Sequence, residues 1–308
     1  MNNKKLWTLL FSQLFFLTPI SLKAERAIPD SGLSYPVLIT MKSCPPALVP
    51  QASGFFLSAG DALYLVTGRH VLFNNASPEP QLICKQAELI AYSRNPKEAG
   101  RNLILLDLEA LNASGDLKKH ATHDVAVVRI GTFAKVDGKK TTHFLQGVQG
   151  LEVLPSGIVA VGLDGVKNID QVFAADEVYV LGFPSSIGFQ NIPQIDYLRP
   201  LIKKGIVAAI NEQRKTLILD SSVFHGNSGG PVLEVEQQDA QTKKLHIIGI
   251  ISQIIPVVAS GLNPNSSHAA TEKYNSGYSV AEPMDAVLEL INCSYVEGKR
   301  PIQLTEHQ

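Results

Sequence analysis

The sequence predicts an all-β fold that ends in one helix, and two observations lead to this prediction. Short apolar or alternating runs recur along the chain and are separated by turn residues, as is typical of strands. A clear helical spacing of apolar residues, by contrast, occurs near the carboxyl end. Strands are predicted at residues 37–40, 54–57, 63–66, 103–106, 125–128, 178–181, 217–219 and 247–255.

The helix is predicted over residues 283–291, where Pro283 stands at a position that tolerates a missing N–H group. The apolar residues that share one face of this helix are Met284, Val287, Leu288 and Ile291. Residues 58–61 join two of the predicted strands as a hairpin turn. Many strands with one terminal helix favour a barrel or a sandwich.

Composition and charge limit the kinds of molecule that the protein is expected to bind. The chain of 308 residues is 45% apolar and 18% charged, which is ordinary for a globular protein. The formal net charge is −1 and no run of Lys or Arg marks a surface for nucleic acid. The spacing of the three cysteines fits no zinc pattern. The sequence therefore predicts no nucleic-acid partner, no metal and no cofactor.

Residues 1–24 have the pattern of a secretory signal peptide. Lys4 and Lys5 precede an apolar stretch over residues 6–20, and Ala24 follows at a suitable cleavage position. An uncleaved membrane anchor is the alternative, but polar residues interrupt the stretch, and a span needs about 20 predominantly apolar residues. No later segment is long and apolar enough to cross a membrane. We therefore expect an exported protein, periplasmic or secreted.

The string Gly-Asn-Ser-Gly-Gly-Pro at 226–231 is the most specific signal for chemistry. Glycines on both sides of Ser228 allow a tight turn that presents the hydroxyl and leaves room for a substrate carbonyl. In such a turn the N–H groups of Gly226 and Ser228 can converge as an oxyanion hole. The alternative is a glycine-rich hairpin whose serine only caps a turn.

A serine hydroxyl needs a neighbouring base before it acts as a nucleophile. His70 ends a predicted strand at a turn, and Asp124 directly precedes the apolar strand at 125–128. The order His70, Asp124, Ser228 along the chain is that of a chymotrypsin-type triad. In that arrangement the aspartate holds one tautomer of the histidine and stabilises its imidazolium form.

These blocks resemble the trypsin-like serine protease superfamily, and in particular bacterial trypsin-like peptidases and the protease domain of the HtrA (DegP) family. The matching strings are Val-Thr-Gly-Arg-His-Val at 66–71, His-Asp-Val-Ala-Val at 123–127 and Gly-Asn-Ser-Gly-Gly-Pro at 226–231. The resemblance implies two six-stranded antiparallel β-barrels. We assign residues 25–150 to the first barrel, 151–295 to the second barrel and its helix, and 296–308 to a polar tail. Within this division, residues 131–157 are expected to connect the barrels.

The resemblance also implies the residues that contact substrate: Ser222, His225, Ser252 and Gln253. Ser222 stands six residues before Ser228, where trypsin carries an acid, so an uncharged side chain is expected at the cleavage site. The chain departs from digestive trypsins at Gly68-Arg69, where those enzymes have two alanines, and at Asn227, where they have aspartate. No PDZ segment follows the predicted helix.

Cys44 and Cys84 flank the His70 segment, so they are the favoured disulfide, with Cys293 left free; three free thiols are the alternative. The function predicted from these features is an exported serine endopeptidase that acts on proteins or peptides through an acyl-enzyme on Ser228. Two alternatives stay open: a catalytically silent binding protein of the same fold, and an esterase that uses the same triad.

Overall fold

The computed structural model describes residues 28, 30–45, 51–74, 79–93, 100–136, 139–185, 192–237, 243–262, 269–294 and 302–303. The segment predicted as a signal peptide lies outside these residues, as does most of the predicted tail. Within the described residues, no helix is long and apolar enough to cross a membrane.

Strands dominate both halves of the chain. The strands of the first half are β1 (Pro36–Lys42), β2 (Gln51–Ala59), β3 (Ala62–Thr67), β4 (Phe73–Asn74), β5 (Gln81–Leu82), β6 (Gln86–Tyr92), β7 (Arg101–Asp107), β8 (Leu117–Lys119), β9 (Ala126–Val136), β10 (Lys139–Phe144), β11 (Val148–Glu152) and β12 (Val161–Gly162). Those of the second half are β13 (Glu177–Gly182), β14 (Leu201–Asn211), β15 (Thr216–Asp220), β16 (Pro231–Gln237), β17 (Lys243–Leu262), β18 (Ala269–Pro283), β19 (Cys293–Ser294) and β20 (Ile302–Gln303).

The described helices are short. They are α1 (Arg69–Leu72), α2 (Leu108–Ala113) and α3 (Met284–Leu290), with 3-10 turns at Asp30–Ser34, Leu163–Gly165 and Ile169–Gln171. The prediction of an all-β fold with a helix near the carboxyl end is therefore confirmed. The predicted turn at residues 58–61 is also present, because Gly60 joins β2 to β3 with a φ of 61°.

In the second half, six strands close into a barrel in the order β13-β14-β15-β18-β17-β16. Its interior is filled by apolar side chains from alternate positions of these strands, as closure of a small barrel requires. The buried residues of this core include Val178, Val180, Val207, Leu219, Val232 and Ile248.

The first half contains more strands than the six predicted for its barrel. Ten strands form one sheet along the path β10-β9-β3-β2-β1-β6-β7-β11, with β8 on β9 and β12 parallel to β2. The additional strands explain the difference, because β8 and β10 pair with β9 and β11 pairs with β7. The edges of β7 and β9, which would pair with each other in a closed barrel, are therefore already hydrogen-bonded to these additional strands.

The segment at 131–157, predicted as a connection between barrels, instead continues the first sheet. It contains the end of β9 and all of β10 and β11. The predicted boundary at residue 150 falls within β11, and β12 still pairs with β2 of the first sheet. This region has weak periodicity in the sequence, and its strand β11 is exposed along almost its whole length.

Helix α3 packs where the sheet and the barrel meet. Met284, Val287 and Leu288 are buried in one apolar cluster with Phe55 of the sheet and Leu181 of the barrel. Burial of a side chain of this size contributes roughly 1.5–3 kcal/mol. The helix thus stabilises the contact between the two halves.

A disulfide joins Cys44 and Cys84, with an S–S distance of 2.01 Å and a Cα–Cα distance of 4.4 Å. Cys44 follows β1 and Cys84 precedes β6, and these two strands are hydrogen-bonded neighbours. The bridge encloses a sequence separation of 40 residues. For a loop of that size the chain-entropy account gives roughly 4 kcal/mol as an upper figure.

Candidate active site

His70 lies in the first turn after β3. The apolar strand ends at Thr67, and Gly68 leads the chain into α1, whose Val71 and Leu72 are buried in the core of the first sheet. These anchors fix the helix turn and leave the His70 side chain 36% exposed. A β-carbon on residue 68 would lie 3.2 Å from the imidazole ring of His70. Glycine at this position avoids that close contact.

Asp124 lies at the turn before β9 and receives three hydrogen bonds. Its Oδ1 accepts from the backbone N–H of His70 at 2.9 Å, and its Oδ2 lies 2.5 Å from His70 Nδ1. Oδ2 also accepts from the Ser252 hydroxyl at 2.8 Å. Burial alone would raise the pKa of Asp124, but the hydrogen bonds and charge of His70 and the bond from Ser252 hold that pKa below its usual value. The carboxylate is therefore ionised at neutral pH.

Ser228 is presented by a turn that only glycines allow. Gly226 and Gly229 have φ angles of 93° and 79°, in the left-handed region. A side chain on Gly229 would lie 2.3 Å from the carbonyl oxygen of Ser53. The Ser228 carbonyl accepts a hydrogen bond from the Ser53 N–H at 2.9 Å, which holds the turn against β2.

The peptide between His225 and Gly226 is fixed in orientation. The His225 carbonyl accepts a hydrogen bond from the Ser185 N–H at 2.7 Å. Since the described peptides are all trans, the Gly226 N–H points away from that carbonyl. Within the described part of the chain, neither this N–H group nor that of Ser228 has a hydrogen-bond acceptor. Both donors are thus available to a developing oxyanion.

Asn227 stabilises this turn from within. Its side chain is 3% exposed, and its Oδ1 accepts from the Phe224 N–H at 3.0 Å. Its backbone N–H donates to the Phe224 carbonyl at 3.0 Å. The turn is therefore ordered by its own hydrogen bonds, with no ion pair at residue 227.

His70 and Ser228 open into the same cavity, whose volume is about 310 Å³. The remaining lining residues are Val223, Phe224, His225, Ile251, Ser252, Gln253 and Ile254. A second cavity of about 290 Å³ is lined by Tyr35, Asp164 and Lys244 with seven other residues, none of which is a serine, cysteine or histidine. A serine hydroxyl and an imidazole therefore line the first of these two cavities.

Of the four residues predicted to contact substrate, His225, Ser252 and Gln253 line this cavity. Ser222 does not; its hydroxyl lies 3.8 Å from the position that a side chain on Gly277 would take. Ser252 has a second contact that the sequence did not indicate, since its hydroxyl donates to Asp124. A serine that follows an apolar run carries no sequence signal for such a partner 128 residues away.

Ser53 was not identified from the sequence, although it joins the two halves at the site. It is fully buried, and its hydroxyl donates to the Gly226 carbonyl at 2.7 Å and accepts from the Phe183 N–H at 2.9 Å. The available signal was that Ser53 is a polar residue within the largely apolar strand β2, which also contains Ser58. Among the described residues, no group of three or more His, Cys, Asp or Glu side chains is arranged to hold a metal ion.

Solved structures similar to this chain include two proteases. The serine endoprotease from Yersinia pestis is 16% identical, with a TM-score of 0.42, over 83% of this chain and 61% of that one. The HtrA-type protease AlgW with a tripeptide is 15% identical, with a TM-score of 0.45, over 85% of this chain and 62% of that one. The chain thus spans less than two thirds of each solved chain. A comparison with functionally characterised proteins finds no match.

The sequence profile of the trypsin-like peptidase domain matches residues 52–239, which is more than half of the 308 residues. The matched segment contains His70, Asp124 and Ser228. The family resemblance predicted from the sequence blocks is therefore confirmed. The chain belongs to the trypsin-like peptidase family.

Proposed function

We propose that the protein is an exported serine endopeptidase that hydrolyses peptide bonds through an acyl-enzyme on Ser228. One observation carries this proposal. His70, which is hydrogen-bonded to Asp124, lines the same cavity as Ser228, and the available N–H groups of Gly226 and Ser228 belong to the turn that presents this serine. These groups supply a base, its orienting acid, a nucleophile and an oxyanion donor.

In the first step, the Ser228 hydroxyl oxygen attacks the carbonyl carbon of the substrate, and its proton passes to His70 Nε2. The negative charge that forms on the carbonyl oxygen is stabilised by the N–H groups of Gly226 and Ser228. Loss of one such donor typically costs about 3–4 kcal/mol of barrier. The imidazolium then protonates the departing amine, and the carbon–nitrogen bond breaks. Water, deprotonated by His70, hydrolyses the acyl-enzyme and restores the serine.

Asp124 keeps the reacting nitrogen of His70 directed at the cavity. Its carboxylate accepts at His70 Nδ1, so in the neutral ring Nε2 has no proton and can act as a base. The lowered pKa of Asp124 keeps the carboxylate charged while the imidazolium forms. Ser252 supports this state through its bond to Oδ2.

The cavity favours an uncharged substrate side chain before the scissile bond. Val223, Phe224, Ile251 and Ile254 are apolar lining residues of this cavity, and no Asp or Glu is among its lining residues. Asp220, the acid nearest in sequence to Ser222, is exposed at the end of β15. We therefore expect apolar residues to be preferred over Lys and Arg at this position.

Export is supported by the signal-like pattern of residues 1–24, since a basic start precedes an apolar stretch. The Cys44–Cys84 disulfide is consistent with a compartment outside the cytosol, where such bonds persist. Periplasmic and secreted locations both satisfy these features.

The test combines a serine-reactive phosphonate with peptide turnover. Wild-type protein should be labelled at Ser228 and should cleave peptides with an apolar residue before the scissile bond. Ser228→Ala should abolish both, whereas Ser114→Ala, at an exposed serine near α2, should change neither. Labelling with turnover of esters alone would assign an esterase. Failure of wild-type protein to react in both assays would assign a silent binding protein.

A further inference from the structure

The turn that carries Asp124 is organised by a histidine side chain. His120 Nδ1 accepts hydrogen bonds from the backbone N–H groups of His123 at 3.0 Å and of Thr122 at 3.3 Å. A ring nitrogen that accepts has no proton, so the proton of the neutral ring is on Nε2. That nitrogen lies 2.9 Å from Glu289 Oε2, to which it donates. The ring thus links the backbone of this turn to helix α3.

A second histidine pairs with the barrel immediately beside Asp124. His123 Nδ1 lies 2.6 Å from Glu282 Oε2, and the two side chains are only 19% and 9% exposed. The rings of His120 and His123 also contact each other edge to face, with centroids 4.9 Å apart. The residue next to Asp124 is therefore fixed by a largely buried hydrogen bond.

These pairs connect the two halves of the molecule. His120 and His123 precede β9 of the first sheet, while Glu282 lies near the end of β18 and Glu289 lies in α3. On the opposite side of the turn, Arg69 Nη1 donates to the His120 carbonyl at 2.8 Å. The same guanidinium also reaches the next carbonyl, that of residue 121, at 3.0 Å. The Asp124 turn is thus held between α1 and the end of the barrel.

Resting on the proposed function, we propose that His123 and Glu282 are positioning residues for peptide hydrolysis. Their hydrogen bond fixes the backbone that carries Asp124, and Asp124 in turn fixes the ring of His70. Neither His123 nor Glu282 lines the cavity that contains Ser228, so they act through Asp124 and do not contact substrate. Their side chains are already paired with each other, and no metal-binding group of three such residues occurs in the described ranges.

The experiment compares Glu282→Ala with Glu282→Gln in the full-length protein. The alanine leaves the buried His123 N–H without its acceptor, so the turn should shift and kcat should fall roughly 10–100-fold, as small misplacements of catalytic groups cause elsewhere. KM should stay within about twofold, because substrate contacts are unchanged. The glutamine keeps an acceptor oxygen and should restore most of kcat. Glu109→Gln, in an exposed pair with Lys85, is the matched control and should behave as wild type.

A spectroscopic readout tests the same idea independently of turnover. The proton in the 2.5 Å contact between His70 and Asp124 should give a far-downfield resonance in proton NMR. We expect this resonance to broaden or shift in Glu282→Ala and in His123→Ala, and to persist in Glu282→Gln and Glu109→Gln. The resonance remains informative if the wild-type protein cleaves no peptide, an outcome that would contradict the proposed function alone.

Three outcomes would overturn the proposal. The first is wild-type kcat with an unchanged resonance in folded Glu282→Ala or His123→Ala protein. The second is an effect confined to KM, which would place the pair in substrate binding. The third is loss of the fold in both variants by circular dichroism, which would assign the pair to stability of the fold and not to position.

Discussion

The network of side chains around Asp124 and a second network around Lys167 differ in how their hydrogen bonds are arranged. Around Asp124, the bonds from His70 and Ser252 are short, aligned and lead to a cavity. The second network lies toward one end of the barrel. There Lys167 Nζ lies 2.7 Å from Glu234 Oε1 and 3.0 Å from a carboxylate oxygen of Glu236.

The second network contains atoms without aligned partners. His246 Nε2 lies 3.2 Å from Glu236 Oε2, yet within the described chain neither ring nitrogen of His246 makes a well-oriented hydrogen bond. Glu234 Oε2 likewise has no well-oriented hydrogen bond within the described chain. Glu234 and His246 are each only 6% exposed. None of these residues lines the cavity that contains Ser228. Similar residue types can thus orient a base toward a cavity in one place and only compensate buried charge in another.

The largest contrast is expected from removing one charge in each network. Asp124→Asn should lower turnover by roughly 10⁴-fold, because the amide stabilises the wrong tautomer of His70. Its melting temperature should change little by comparison. Turnover of a peptide substrate and thermal unfolding followed by circular dichroism measure the two effects. A fall in turnover of less than tenfold would contradict the role of Asp124.

In the other network, Lys167→Met should leave chemistry intact and cost stability. Glu234 would keep a buried carboxylate without its cation, a loss of about 3 kcal/mol in the free energy of unfolding. Urea unfolding measures this loss, and Lys85→Met, in an exposed pair with Glu109, is the control that should change little. The double variant Lys167→Met, Glu234→Leu should recover much of the stability, because an apolar pair can replace a buried ion pair. A loss of turnover in folded Lys167→Met protein would contradict the prediction that this network affects stability and not chemistry.

His246 makes the barrel-end network sensitive to pH. Burial, followed by the charges of Lys167 and Lys244, lowers its pKa from 6.5 to about 4, while Glu236 opposes this shift. As the pH falls, His246 is therefore protonated in the unfolded chain before it is protonated in the folded protein. The free energy of unfolding decreases between pH 6.5 and about pH 4. Near pH 5 the loss relative to neutral pH is about 2 kcal/mol. Urea unfolding at both pH values should show a smaller change in His246→Gln than in wild type.

The smallest effect on turnover is expected from changing the residue at which the chain begins. In digestive trypsins a freed N-terminal ammonium pairs with an aspartate before the serine, but here Asn227 already accepts from Phe224. A buried ammonium beside it would be uncompensated at a cost of several kcal/mol. Proteins that begin at Glu25, at Ile28 or behind a tag should show equal turnover. A large gain in turnover for one particular N-terminal residue would contradict this prediction. It would indicate that the turn at Asn227 is ordered by an inserted N-terminal ammonium.

The residues of the candidate site were predictable from sequence because each stands in a short local pattern. Ser228 is flanked by glycines whose φ angles the turn requires, and Asp124 directly precedes an apolar strand. The pairing of Glu282 with His123 was not predictable, because 159 residues separate them and neither has a local signature. The second contact of Ser252 was missed for the same physical reason.

The fold was predictable to a similar degree. Strands with alternating burial and the helix α3 follow from periodicity, and the closed barrel agrees with the prediction. The additional strands of the first sheet were not predicted, because β10 and β11 lack the run of alternating apolar residues by which a half-buried strand is identified. Lys167 likewise lies between two short 3-10 turns, and its partners Glu234 and Glu236 come from β16.

The bonds between the two halves also set an order in time. A ribosome completes His70 and Asp124 long before it reaches Ser252, which follows Asp124 by 128 residues. The oxyanion turn has the reverse dependence, since Gly226 is held by Ser53, made 173 residues earlier. A nascent chain that has only the early half contains His70 and Asp124 but neither Ser228 nor the Ser252 hydroxyl that donates to the carboxylate. The proposed hydrolysis therefore becomes possible only after both halves have been made and have folded together.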